Sequence, residues 1–293
     1  MSSYGGQRGT VALEDAEILD QQAFDGHQFI LRVRAPKAAG RAAPGMFAHI
    51  TCDPAVPLRR PLSIMRASAA EGWIEFLYKP KGRGLDKLSA RRPGEVLSVL
   101  APIGRGFTVD PKRPRLLALG GGVGIPPMIF LAEQTRSRPE LVPIVLMGSE
   151  VPFPFELAAS RLEVPGAPPA ASHAVALLER WGVPSRLASN AGLGGAFRGY
   201  ITELARAFLA TLPPAELART QMLACGPTPM LAATAKLARE LDLPCQLALE
   251  EFMACGIGGC AGCNVRLQTA DGPAMKRVCV DGPVFDAREV YPA

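Results

Sequence analysis

The stretch "EEFMACGIGGCAGCNVRL", residues 250–267, holds three of the chain's seven cysteines. The spacing is Cys255-x4-Cys260-x2-Cys263, and Cys279 follows after fifteen intervening residues. An iron–sulfur cluster needs four thiolates converging on a compact inorganic core. A tight loop supplies three of them if its backbone curls around that core. Gly256, Gly258, Gly259 and Gly262 permit the curl, since glycine tolerates positive φ and carries no side chain. Loop N–H groups then face the sulfurs and stabilise their charge. The pattern C-x4-C-x2-C…C is the plant-type [2Fe–2S] spacing. A structural zinc site more often shows two paired C-x2-C units, whereas the fourth cysteine here stands alone. Unmetallated thiols are the remaining alternative. Cys52, Cys225 and Cys245 stand apart from the cluster and read as free buried cysteines.

Two further segments suit nucleotide chemistry. "LALGGGVGIPPM" follows an expected strand and opens an expected helix. Gly120, Gly121, Gly122 and Gly124 let the backbone approach a pyrophosphate, and the helix start offers N–H donors. Pro126 and Pro127 suit a first helical turn. A plain strand–helix turn would look the same, so the loop alone decides little. Downstream, "ACGPTPM" is a second strand-to-helix junction. Its Cys225-Gly226-Pro227 falls at a strand's C-terminal edge, where open α/β sheets bind ligands. "RRPLSIM" and "KPKGRGLDKLS" add arginine and glycine near another short helix, a further phosphate seat.

The elements that must position these groups follow from periodicity. "HQFILRVRAP" and "EGWIEFLYKP" alternate apolar and polar residues, and "PGMFAHITC" and "PGEVLSVLAPIG" open on Pro-Gly turns. Such spacing predicts a small antiparallel barrel, interrupted by one helix over residues 86–90. From Arg113 the pattern becomes strand, glycine loop, helix, then the apolar strand "LVPIVLMGS". The helix "ITELARAFLATL", the strand "QMLACGP" and the helix "TPMLAATAKLARELDLP" come next. Alternating strand and helix predicts a parallel, doubly wound sheet. "EVPGAPPAAS" reads as a loop or insertion. The expected division is 1–110 barrel, 111–248 Rossmann-like domain and 249–293 cluster segment. That last segment is too short and glycine-rich for a core of its own, and a metal cluster would order it.

Composition excludes several classes. A chain of 293 residues that is 48% hydrophobic can bury cores for two or three domains. A net charge of +5 without a dense basic run gives little support to nucleic-acid binding. The longest apolar run is broken by adjacent glycines and two prolines, unlike a membrane span. The polar start "MSSYGGQRGT" lacks the apolar stretch of a signal peptide, so a cytoplasmic location is expected.

Together these motifs resemble the ferredoxin–NADP reductase superfamily. "RPLS" is similar to its flavin-binding Arg-x-Tyr-Ser signature, with Leu62 in place of tyrosine. "GGGVGIPP" and "CGP" resemble its nicotinamide-nucleotide motifs. "LEEFMACGIGGCAGC" and "RVCVDGPVF" more narrowly resemble the electron-transfer subunit of the two-subunit, NAD-dependent dihydroorotate dehydrogenase. That resemblance implies a β plus α/β fold with an FAD-binding barrel, a Rossmann-like NAD(H) domain and a [2Fe–2S] loop. It places Arg60, with Pro61 and Leu62, against the FAD pyrophosphate region, and Ser63 near the flavin's reactive nitrogen. Leu77, Tyr78 and Lys79 line the flavin, and Gly84 and Leu85 seat the pyrophosphate. Cys225 and Gly226 approach the nicotinamide, and Cys255, Cys260, Cys263 and Cys279 ligate the cluster.

Departures accompany the likeness. Leu85 replaces a common threonine, and "GSE" with Glu150 replaces a common Gly-x-Arg, which favours NADH over NADPH. The region 151–175 is longer than usual, and "SNAGLGG" replaces an acidic stretch. A flavin exchanges electrons in pairs or singly, so it belongs between nicotinamide and cluster. No orotate site is apparent, so the resemblance implies a catalytic dihydroorotate dehydrogenase partner in a heterotetramer, serving pyrimidine biosynthesis. A small subunit of an NADH-dependent ferredoxin:NADP⁺ oxidoreductase, a sulfide dehydrogenase or a hydrogenase diaphorase shares this wiring. A cluster-bearing redox sensor without turnover is the reading from another class.

Overall fold

The computed structural model describes residues 11–292. The polar stretch 1–10 and Ala293 lie outside the described residues. The barrel region comprises β1 (Ala12–Phe24), β2 (Gln28–Arg34), the single turn α1 (Pro36–Ala39), β3 (Phe47–Thr51), β4 (Arg60–Ser68), β5 (Trp73–Tyr78), α2 (Arg83–Ser89) and β6 (Val96–Ile103). Its six strands close in the order β1-β2-β5-β4-β3-β6, every pair antiparallel. Side chains alternate across each strand. Ile18, Leu31, Val33, Ile50, Ile64, Phe76 and Val99 therefore fill the interior.

The second region runs β7 (Arg115–Gly121), α3 (Pro126–Thr135), β8 (Val142–Gly148), β9 (Leu157–Ala159), β10 (His173–Val175), α4 (Ala176–Arg180), β11 (Ser185–Ala188), α5 (Ile201–Ala210), α6 (Pro214–Leu217), β12 (Thr220–Cys225), α7 (Thr228–Glu240) and β13 (Cys245–Ala248). The last segment adds β14 (Asn264–Thr269), β15 (Gly272–Arg277), β16 (Val284–Asp286) and α8 (Ala287–Val290). The large sheet has the order β11-β8-β7-β12-β13-β16. Its first five strands are parallel, and β16 joins antiparallel to β13. The strand-and-helix alternation seen in the sequence thus forms the doubly wound sheet. One of its strands comes from beyond residue 249.

The two regions interlock through α3. Its Phe130 leaves the helix and enters the barrel interior, while Met65 and Leu77 of the barrel pack in the cluster beneath the sheet. Arg66 of β4 donates from Nε (2.9 Å) and Nη2 (2.6 Å) to Oε1 of Glu133 on α3. The Arg66 guanidinium also lies 5.5 Å from the Trp73 ring centre and 5.3 Å from that of Trp181. Arg32 at 4.3 Å from Trp73 and Arg136 at 5.0 Å from Trp181 extend the stack. Each such contact contributes about 0.5–1 kcal/mol where solvent reaches it.

The cysteine-bearing segment shares a core with the barrel. Phe47 and Ile103 pack with Cys263, Leu267, Val278, Cys279 and Phe285. Arg105 N donates to the Gly282 carbonyl at 2.6 Å, which fastens the segment to the end of β6. Among the described residues no helix is long and apolar enough to cross a membrane.

Candidate functional site

On the barrel, Ala48, Ile50, Leu62 and Ile64 point inward. Alternation turns Phe47, His49, Pro61 and Ser63 to the outer face. There Phe47 stands opposite Ser63, and His49 opposite Pro61. Arg59 is no free surface arginine. Its Nη1 donates to the carbonyls of His49 (3.2 Å) and Ser98 (2.8 Å), tying β3 to β6.

Arg60 reaches the first turn of α2. A Cβ on Gly84 would sit 2.8 Å from Arg60 Nε and 3.0 Å from Cζ, so the guanidinium lies directly over that backbone. Gln21 Nε2 holds the far end of α2 by donating to the carbonyls of Leu88 (3.1 Å) and Arg91 (2.8 Å). Leu85 packs against the barrel interior. A cationic guanidinium beside the unpaired N–H groups of a helical first turn is electrostatically adverse until an anion sits between them. A pyrophosphate fits this cradle.

Leu77 and Tyr78 are buried, and Lys79 is exposed. The Tyr78 ring stacks on Phe29 at 5.5 Å, and its hydroxyl donates to Gln21 Oε1 at 3.0 Å. That ring belongs to the barrel interior. From this stretch, Tyr78 could therefore face a flavin only through its backbone.

At the sheet edge, Gly120 of β7 lies between Cys225 of β12 and Met147 of β8. A Cβ on Gly124 would lie on the Cys225 carbonyl and 2.5 Å from Gly226 N, so the glycine loop and the Cys-Gly-Pro turn touch backbone to backbone. Met230 lies against both Gly121 and Gly226. Gly122, at φ +55°, faces open space beside exposed Val123. Glu150 is exposed just past the end of β8. The Cys225 thiol is buried, and desolvation, then nearby Glu250, raise its pKa well above the usual thiol value. Glu250 is exposed two residues past the end of β13, yet the protein around it raises its carboxyl pKa by desolvation. Nothing in the sequence pointed to Glu250 beyond its place in the "LEEFMACG" motif.

In the cysteine loop, the thiols do not close on one point. Among the described residues no group of three or more His, Cys, Asp or Glu side chains is placed to hold a single ion. They make two separate local contacts instead. Cys263 Sγ lies 3.3 Å from Cys279 Sγ, and Cys255 Sγ accepts from Cys260 N at 3.4 Å. Burial alone would raise the Cys255 pKa. Backbone contacts from Ile257, Cys260 and Gly259 outweigh that and bring it to about 7. Burial, then Cys263, pushes Cys279 up to about 12. Gly262 N donates to Cys260 Sγ at 3.4 Å. Arg277 Nη1 holds the loop by donating to the Gly258 carbonyl at 3.0 Å. A close thiol pair, with backbone N–H donors aimed at the sulfurs of Cys255 and Cys260, fits residues that would hold a two-iron cluster.

Sequence reasoning also missed His49. It is fully buried beneath the loop, and a Cβ on Gly256 would come 2.7 Å from its Nδ1. Burial, then the Arg59 guanidinium, lower its pKa. A lone histidine in an apolar strand carries no periodic signal.

Barrel, doubly wound sheet and four-thiol loop define a ferredoxin-reductase-like iron–sulfur oxidoreductase chain. The solved structure of an NADH-dependent reduced ferredoxin-NADP oxidoreductase matches it with TM-score 0.75 at 22% identity, over 98% of this chain and 91% of that one. The ferredoxin reductase of carbazole 1,9a-dioxygenase matches with TM-score 0.61 at 21% identity, over 80% and 67%. At such identities these likenesses speak for the fold. Residues 250–291 match the family described as the iron-sulfur cluster binding domain of dihydroorotate dehydrogenase B. A Geobacillus thermodenitrificans protein described as the electron transfer subunit of dihydroorotate dehydrogenase B (NAD(+)) is 32% identical over 96% of this chain and 99% of its own length. The Geobacillus sp. protein of that description is 34% identical over 85% and 86%. The chain belongs to the family of dihydroorotate dehydrogenase B (NAD(+)) electron transfer subunits.

Proposed function

We propose that this chain carries electrons from a dihydroorotate-oxidising partner subunit to NAD⁺, through a [2Fe–2S] cluster and FAD held on its own residues. The observation that supports this most is the joint core of the thiol loop and the barrel. Phe47, the cross-strand neighbour of Ser63, packs with ligands Cys263 and Cys279. Bound FAD would supply the junction between two-electron exchange with a nicotinamide and one-electron exchange with the cluster.

The chain's residues divide the work. Arg60 and the backbone at Gly84 hold the pyrophosphate, and Leu85 seats the turn. Ser63 presents a hydroxyl on the flavin face, while Pro61 and Leu62 shape the strand. Gly120, Gly121, Gly122 and Gly124, with Cys225 and Gly226, form the nicotinamide edge, closed by Glu250. An acid at Glu150 repels a 2′-phosphate, which favours NADH. Cys255, Cys260, Cys263 and Cys279 hold the irons. Around the loop stand Phe252, Ile257 and Met275, exposed by 92%, 60% and 61%. Large exposed apolar side chains mark contact surfaces, and here they suit a catalytic subunit that delivers electrons to the cluster. The assembly is a heterotetramer in the cytoplasm.

Co-expression with the orotate-producing catalytic subunit tests the reading. Dihydroorotate-dependent reduction of NAD⁺ by the co-purified complex, and not by either subunit alone, is the expected result. Absence of a complex, or capture of a glutamate-synthase-like flavoprotein instead, would overturn it.

A further inference from the structure

His49 lies at the centre of β3 with no exposed surface. Neither of its ring nitrogens has a well-formed hydrogen bond among the described residues. Buried polar atoms are nearly always paired, and exceptions mark a strained or functional place. A neutral imidazole carries at least one N–H to donate. A phenylalanine or leucine would fill the same volume without that unpaired donor.

The ring's neighbours show what it faces. Across the strand pair stands Pro61 of β4, and on the other side Leu100 of β6. Over it runs the cysteine loop: a Cβ on Gly256 would sit 2.7 Å from Nδ1 and 3.4 Å from Ile103 Cδ1. Gly256 itself has φ +69°. A side chain there would be both strained and blocked by the imidazole, so ring and loop are matched to each other. The backbones of Cys255 and Arg59 lie beside the ring without a completed hydrogen bond to it. Arg59 in turn braces the same stretch by donating to the His49 carbonyl at 3.2 Å. His49 is thus the polar group interposed between the loop of ligand Cys255 and the strand that carries Pro61 and Ser63.

We propose that His49 is a positioning residue: once the cluster is loaded, its otherwise unpaired ring N–H takes the cluster-loop backbone at Cys255 as acceptor, which holds the loop to the outer face of β3 and so sets the cluster against the flavin strand β4. The inference rests on the proposed cluster and flavin sites. Groups that hold ligand-bearing backbone in place are part of a metal site's function, and their loss typically costs about 10–100-fold in affinity or activity. Loss of this tie therefore alters the cluster's surroundings and slows transfer between flavin and cluster. Hydride exchange at the sheet edge lies elsewhere and is untouched.

The experiment uses the whole chain, loaded with FAD and cluster. His49→Phe keeps a ring and removes the donor, and His49→Asn keeps a donor near the Nδ1 position. Iron, acid-labile sulfide and FAD contents are measured first, followed by the electron paramagnetic resonance spectrum of the reduced cluster. Stopped-flow reduction of the cluster by NADH and NADH-driven dye reduction complete the set. His49→Phe should retain FAD and dye reduction, show shifted g-values, and reduce its cluster about 10–100-fold more slowly. His49→Asn should restore most of both signals. Unchanged g-values and rate in His49→Phe would overturn the proposal. If His49→Phe does not load, His49→Asn decides: wild-type behaviour supports the tie, and a folded His49→Asn that is also impaired refutes it. Failure of the wild-type chain to hold iron and sulfide would instead sink the proposed cluster, and is read before any variant.

Discussion

Gly84→Ala puts a methyl group where the Arg60 guanidinium now lies. The new Cβ would stand 2.8 Å from Nε, 3.0 Å from Cζ and 3.1 Å from Nη2. Non-bonded heavy atoms settle near 3.5 Å, so the guanidinium must retreat by roughly 0.7 Å. The obstacle is the end of a flexible side chain and not backbone, so the fold accommodates it. Alanine is also the better helix former by about 1 kcal/mol, so the apoprotein should melt no lower than wild type. Ligand binding should suffer. A hydrogen bond to a charged group contributes about 1.5–3 kcal/mol, and displacement away from ideal geometry weakens it. Losing about half of it, ~0.8–1.5 kcal/mol, weakens FAD binding roughly 4–12-fold. Arg60→Ala removes the group and should cost about 10–100-fold. Fluorescence titration of FAD into apoprotein reads both values, beside a thermal melt. FAD affinity unchanged in both variants, with both folded, would refute the anion cradle.

Other substitutions probe the remaining parts. Gly124→Ala drives a Cβ into the Cys225 and Gly226 backbones, which cannot swing aside. It should cost about 1–3 kcal/mol, seen as a lower melting temperature, and should raise KM for NADH while leaving FAD affinity intact. Cys263→Ser breaks the buried thiol pair with Cys279; iron and labile sulfide should fall close to zero in chemical assay while FAD stays bound. Phe130→Ala empties the α3 side chain from the barrel interior, at about 3–5 kcal/mol in urea denaturation. The chain's only two tryptophans, Trp73 and Trp181, flank Arg66 at that junction. Their emission should therefore shift to the red before the rest of the protein unfolds.

Much of the architecture was legible because periodicity and turns are local. The cluster expectation needed only the spacing of four cysteines, and the switch to strand–helix alternation near Arg113 marked the sheet. Two barrel strands escaped. β1 carries a bulge between Ile18 and Asp20 and acidic residues on its outer face, and β4 starts at Arg60-Pro61 and bulges between Ile64 and Arg66. Both break the two-residue period. The C-terminal segment showed no strands to periodicity: the β14–β15 hairpin is mostly exposed, and β16 has three residues and gains its partner from β13. β5 is buried on both faces, so alternation could not say which way the Tyr78 ring points. His49 and Glu250 acquire meaning only from distant segments folded against them. The region 163–172 does lie between strands, but the β9–β10 hairpin that flanks it was hidden by its length of three residues per strand.

Anaerobic titration of the purified chain with NADH tests the central claim most directly. Visible and electron paramagnetic resonance spectra are followed together. Bleaching of one flavin and appearance of a reduced [2Fe–2S] signal in the same protein, with the cluster signal lost when FAD is stripped, is the predicted result. A cluster that NADH reduces equally well without FAD, or a chain holding flavin but no labile sulfide, would contradict the account.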